Sequence, residues 1–142
     1  MKAFDQLYNL TSRKLVGRNY HRSCNQHRLP HVLTCLDAEG SKFWRFAGQF
    51  ENLHFHSIWL IDKSDASQFE NVMSMSGSMG DVWRSLSFDE IEASAVNTSE
   101  DGQIERAVSY ASKLVGFNNL HLTVGQDFEI YPRGQNDRSR TC

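Results

Sequence analysis

The ten residues 53–62, Leu-His-Phe-His-Ser-Ile-Trp-Leu-Ile-Asp, constrain the fold more than any other stretch of this chain. Turn-forming residues flank them at 49–52 and 63–67, so the run reads as one strand rather than as part of a helix. Side chains alternate across a strand, which puts Leu53, Phe55, Ser57, Trp59 and Ile61 on one face and His54, His56, Ile58, Leu60 and Asp62 on the other. Large apolar groups on both faces call for protein above and below. The expectation is a central strand.

Residues 2–16 have the spacing of an amphipathic helix: Phe4, Leu7, Tyr8, Thr11 and Leu15 recur at three and four, and Gly17 stands where a left-handed terminator fits. Residues 18–30 show neither period and form a basic connector. Alternation resumes at 31–37, a turn follows at Asp37-Ala38-Glu39-Gly40, and 42–50 returns, so that 31–37, 42–50 and 53–62 make an antiparallel meander. In 65–86, Ser67 and Glu70 have capping-box spacing and begin a short helix, followed by a glycine loop and an extended segment at 82–86. Residues 87–96 fit a helix capped by Ser87 and a strand equally well. A second amphipathic helix is expected at 99–115, capped by Thr98 or Ser99 and closed by Gly116. Residues 119–124 and 128–132 read as a hairpin around Gly125-Gln126. The fold class is therefore α+β, a mainly antiparallel sheet of a three-strand meander plus a C-terminal hairpin, with helices packed on one face. It forms a single domain over 1–134, and 135–142 is a flexible tail.

A chain of 142 residues can bury such a core without metal or disulfides. Three cysteines, Cys24, Cys35 and Cys142, include no Cys-x-x-Cys pair and fit reduced thiols. The N-terminus lacks a signal-peptide pattern and no run reaches the roughly twenty apolar residues of a membrane span, so the expected setting is the cytoplasm, away from membranes. Charge is uneven: residues 1–36 hold six bases against one acid, and 37–130 hold fifteen acids against six bases. The overall acidity argues against nucleic acid, although Arg13–Arg28 with Tyr20 is a basic stretch.

Four ligand-capable residues, His21, Cys24, His27 and His31, crowd the connector, where a tetrahedral ion accepts imidazole and thiolate. Four ligands within so short a span make a cramped cage, and the plainer reading is a polar loop; no metal or cofactor is assigned. His54 and His56 share a strand face, which brings two imidazoles together. They are expected to border a polar pocket, for acid–base work or metal binding, or to be satisfied by Asp62, Glu92 or Tyr131. The strand Asn119-Leu120-His121-Leu122-Thr123-Val124-Gly125 resembles one half of the signature of the 2H phosphodiesterases, which carry two histidine-any-threonine/serine motifs on paired strands. The resemblance implies hydrolysis of cyclic or 2′,5′-linked phosphodiesters, with His121 as acid or base and Thr123 on a phosphate oxygen. Its other half would be His54-Phe55-His56, where histidine replaces the hydroxyl residue.

There is no phosphate loop, nucleophile elbow or His-Glu-x-x-His. The leading expectation is a non-enzymatic domain that binds a small molecule or protein partner through an aromatic-rich sheet, notably Trp44, Phe46 and Trp59, and pairs with itself. The alternatives are the phosphodiesterase, with His54, His56, His121 and Thr123 catalytic, and a metal-binding protein.

Overall fold

The computed structural model describes residues 1–38, 53–112, 124 and 128–133. The chain divides into two compact units: Val32–Trp59 with Val96–Tyr131 and Met1, and Lys2–His31 with Leu60–Ala95 and Pro132–Cys142. The α+β class holds, with helices beside a three-stranded antiparallel sheet.

The first unit contains the sheet. Its strands are β1 (His31–Ala38), β2 (Leu53–Leu60) and β3 (Phe128–Tyr131), in the order β2-β1-β3. β1 pairs antiparallel with β3 in the register Val32↔Tyr131, Leu33↔Ile130, Thr34↔Glu129 and Cys35↔Phe128. Two expectations are corrected here. Among the described residues the strand with a neighbour on each side is β1, and it is covered on both faces: Val32 and Thr34 on one and Cys35 and Asp37 on the other are all buried. β2 is half-exposed from His54 to Trp59, and Leu60 is 67% exposed. The sequence hid this because the covered strand is the more polar of the two. Secondly, β1 and β2 are direct neighbours, whereas a meander would have interposed 42–50 between them. The expected strand 42–50, Trp44 and Phe46 with it, lies outside the described residues. So does the first hairpin arm apart from Val124, which forms an isolated bridge to Phe128.

Helix α4 (Gln103–Ala111) belongs to the same unit and starts later than the expected residue 99. Asn97 Oδ1 accepts the Ser99 N–H at 3.1 Å, which turns the chain before the helix, and Gly102 enters it at φ +79°. Its apolar stripe stays largely in water: Ile104 and Val108 are exposed and Ala111 is buried.

The second unit is helical. α1 (Lys2–Val16) buries Phe4, Leu7, Tyr8 and Leu15 together with Thr11 and Ser12, and Gly17 ends it at φ +103°. The Tyr8 hydroxyl donates to the Pro30 carbonyl at 3.2 Å, which ties the connector back to the helix. Burial pushes the Tyr8 phenol above its ordinary range. The connector, expected to be irregular, winds a 3-10 helix at Ser23–Arg28. Within it Cys24 is disulfide-bonded, while Cys35 in the sheet is a buried free thiol. The expectation of reduced thiols thus holds for Cys35 and not for Cys24. No helix among the described residues is long and apolar enough to cross a membrane.

α2 (Ala66–Met73) lies against α1, where Gln68 Nε2 donates to the Lys14 carbonyl at 2.7 Å. Its lead-in is capped by Asp62, not by the expected Ser67–Glu70 box: the Asp62 carboxylate accepts from the Ser64 hydroxyl at 2.6 Å and from its N–H at 2.8 Å, which lowers its pKa. The segment expected to be extended at 82–86 is instead α3 (Gly80–Ser85) and its cap. Trp83 explains the difference. It is 0% exposed and donates its indole N–H to the Val72 carbonyl at 2.7 Å, a position that a helical turn after Gly80 provides. Gly80 has no substitute there, because a Cβ would collide with the Met75 carbonyl oxygen.

Ser87 terminates α3 instead of capping a following helix. It adopts φ 67°, its N–H bonds to the Arg84 carbonyl at 3.0 Å, and the Phe88 N–H reaches the Trp83 carbonyl at 3.1 Å. That is the hydrogen-bond pattern of a Schellman ending, with serine where glycine is favoured. Ser87→Gly is expected to raise stability by about 0.5–1 kcal/mol, since relief of the left-handed Cβ penalty outweighs the added chain entropy. Urea unfolding that shows no gain would contradict this cap.

Candidate metal centre

Direct pairing of β1 with β2 has a chemical consequence. Asp37, near the end of β1, faces His54 and His56 on the neighbouring strand. The two histidines share a face because they are two residues apart, and the antiparallel neighbour carries the carboxylate to them. His56 Nε2 lies 3.1 Å from Asp37 Oδ2, His54 Nε2 lies 3.5 Å from the same oxygen, and the two Nε2 atoms are 3.2 Å apart. The rings meet edge to face, with centroids 4.8 Å apart at 90°. All three residues fall within the first unit.

Exposure rises across the triad. The Asp37 side chain is 2% exposed, His56 18% and His54 43%. A carboxylate with so little water requires compensation from neighbouring donors or from a cation. From α4, Tyr110 packs its ring on that of His56, at a centroid distance of 4.7 Å and 67°. Tyr110 itself is 60% exposed and belongs to the rim of the cluster.

The donor spacing is informative. Around a tetrahedral zinc with ligands at about 2.0–2.1 Å, donor atoms lie about 3.3 Å apart, and the observed separations of 3.1, 3.2 and 3.5 Å bracket that value. A point about 2 Å from all three atoms lies about 0.8 Å off their plane, close to where a tetrahedral ion sits above three of its ligands. Among the described residues this is the one group of three or more His, Cys, Asp or Glu side chains placed to hold a metal ion. Two imidazoles and a carboxylate suit zinc and its divalent first-row neighbours.

The other expected site residues fare differently. His21, His27 and His31 are exposed and Cys24 is in a disulfide, so the connector does not gather its four ligands. The partners foreseen for the histidine pair are not those found: Asp62 caps a turn, Glu92 is exposed, and Tyr131 is buried on β3. Trp59 is half-buried and donates its indole N–H to Ser57 Oγ at 2.9 Å. His121 and Thr123 lie outside the described residues, as do Trp44 and Phe46. Sequence reasoning had Asp37 as the last residue of the strand 31–37 and the first of the turn, but did not connect it with the histidine pair, because the strand 42–50 was expected between 31–37 and 53–62.

No family model, curated protein or solved structure matches the chain. The chemistry of the cluster is accordingly read from its geometry.

Cys35 reports on Asp37. It sits two residues earlier on the same face of β1, and burial first, then the Asp37 carboxylate, pushes its thiol pKa up. Both causes disfavour the thiolate, so native Cys35 is expected to resist alkylation until the pH exceeds the ordinary thiol range. Asp37→Asn removes the repulsion and leaves the burial, so the rate–pH profile shifts toward lower pH. Mass-spectrometric alkylation of the Cys35 peptide measures this, and coincident profiles for the two proteins would contradict an ionised Asp37 beside the thiol.

Proposed function

We propose that the chain is a metal-binding α+β domain that holds a divalent transition ion, zinc in the first instance, through His54 Nε2, His56 Nε2 and the Asp37 carboxylate. The observation that carries this reading is the convergence of three donor atoms from two adjacent strands at the edge lengths of a tetrahedral site. Hydrogen bonds from one or both imidazoles to Asp37 Oδ2 also fit these distances. A divalent cation engages all three donors at once and neutralises the buried Asp37 carboxylate. Both histidines then serve as neutral imidazole ligands.

Of the roles expected from sequence, metal binding is the one with the three-residue cluster behind it. The phosphodiesterase reading shares His54 and His56 but assigns them to proton transfer without metal. Binding through the aromatic sheet and self-association draw on residues of which Trp59 is described.

The test is zinc binding by chelator-treated protein purified without a histidine tag, followed by competition with a chromophoric chelator. Wild type is expected to bind one equivalent, and Asp37→Ala, His54→Ala and His56→Ala each to lose at least about 100-fold in affinity, more than the loss of a group that merely orients a ligand costs. Wild type that retains no zinc after loading and dialysis would overturn the proposal. Equal retention by all three variants would place any ion elsewhere and overturn it too.

A further inference from the structure

We infer that the last turn of α1 and the connector after it form a docking surface for the phosphodiester backbone of a nucleic acid, met by Arg13, Lys14, Arg18, Arg22 and Arg28. The surface belongs to the helical unit and does not depend on the metal reading.

Residues 6–36 contain these five bases and no Asp or Glu. All five are exposed. None of them joins an ion pair or a side-chain hydrogen bond among the described residues, and Asp5, the nearest acid before them, is paired with Arg133 at 2.7 Å. The fold also keeps these charges together. Beyond Gly17 the chain turns on itself at each step: the Tyr20, Arg22 and Asn25 N–H groups donate to the Gly17, Asn19 and Arg22 carbonyls at 3.1, 3.0 and 3.0 Å. Asn25 Nδ2 donates to the Asn19 carbonyl at 2.9 Å. Two phenols pin the connector to α1, Tyr20 through Asn9 Oδ1 at 3.3 Å and Tyr8 through the Pro30 carbonyl. The 3-10 helix at Ser23–Arg28 advances about 2 Å per residue, against about 3.3 Å for an extended chain. Cations that a loose loop would scatter are thereby held beside the C-terminal half of α1.

The chemistry of the patch favours phosphate chains over a lipid surface. Four of the five bases are arginine, whose planar fork matches two phosphate oxygens at once. A membrane-surface helix presents apolar groups alongside its bases, whereas here the neighbouring Leu15, Leu29 and Pro30 are buried. The net negative charge of the whole chain does not decide the matter, because salt screens exposed charges beyond about 8–10 Å and the local sign governs contact. Backbone contacts of this kind carry no base sequence.

Fluorescence anisotropy with a labelled single strand of about 20 nucleotides, longer than one binding site, and with its duplex tests this. The full chain is titrated in buffer containing a chelator, so that no ion at the sheet site takes part. Saturable binding to at least one of the two is expected at about 50 mM salt, with log K falling against log salt at a slope of about −2 to −4, the signature of about three to five phosphate contacts. Arg18→Ala/Arg22→Ala is expected to weaken binding at least about tenfold and to flatten that slope. Lys63→Ala/Arg106→Ala, which removes two exposed charges elsewhere, is expected to change neither. No binding to either probe at low salt would overturn the inference. Equal losses from the two double variants would assign binding to overall charge and overturn it as well, and so would binding to phosphatidylserine vesicles without binding to either nucleic acid.

Discussion

A buried carboxylate beside two imidazoles is the contact on which this account turns. Asp37 is 1% exposed, and an ionised group in that position is tolerated where opposite charge or several donors surround it. Two Nε2 atoms on the next strand lie beside it, at 3.1 and 3.5 Å. The arrangement requires that β1 and β2 pair directly. It also requires that β1 continue as a strand as far as Asp37 and that His54 and His56 share a face. Change any of these by one residue and the alternation of the strand turns the donors away from one another.

The two units divide the work differently. The helical unit has a mainly apolar core: Phe4, Leu7, Tyr8 and Leu15 on α1, Val72 and Met73 on α2, and Trp83 on α3 are buried, with Thr11 and Ser12 among them, and the Trp83 indole N–H finds a backbone acceptor. The sheet unit buries ionisable groups as well. Thr34, Cys35, Asp37 and Glu129 are all within its core residues, alongside Val32, Ala111 and Tyr131. Buried polar groups are costly to retain without compensation, and in this unit they lie on β1 and its neighbour β3. α4 sets the Tyr110 ring against His56 while Ile104 and Val108 remain exposed.

What could be read from sequence follows the same division. α1 and its Gly17 ending were legible because helix period, terminal charge and a left-handed glycine all agree there. The existence of β1, β2 and β3 was legible from alternation and turn residues, as was the α+β class. Strand order was not. It depends on which strand is covered twice, and hydrophobicity pointed to β2 because Trp59 and its neighbours outweigh Thr34, Cys35 and Asp37 on any apolar scale. Local pattern also failed at Ser87, whose spacing to Glu90 imitates a helix start while its backbone ends the preceding helix. The histidine pair was visible in the sequence as a same-face pair. Its third member was not, since proximity across strands is a property of pairing, and the pairing had been drawn with another strand in between.

X-ray absorption at the zinc edge of the loaded protein tests the central claim most directly, because it reports which atoms surround the ion. The account predicts a first shell of nitrogen and oxygen at about 2.0–2.1 Å, with the outer-shell scattering of two imidazole rings and no sulfur. A sulfur shell at about 2.3 Å, or a shell without imidazole scattering, would contradict it.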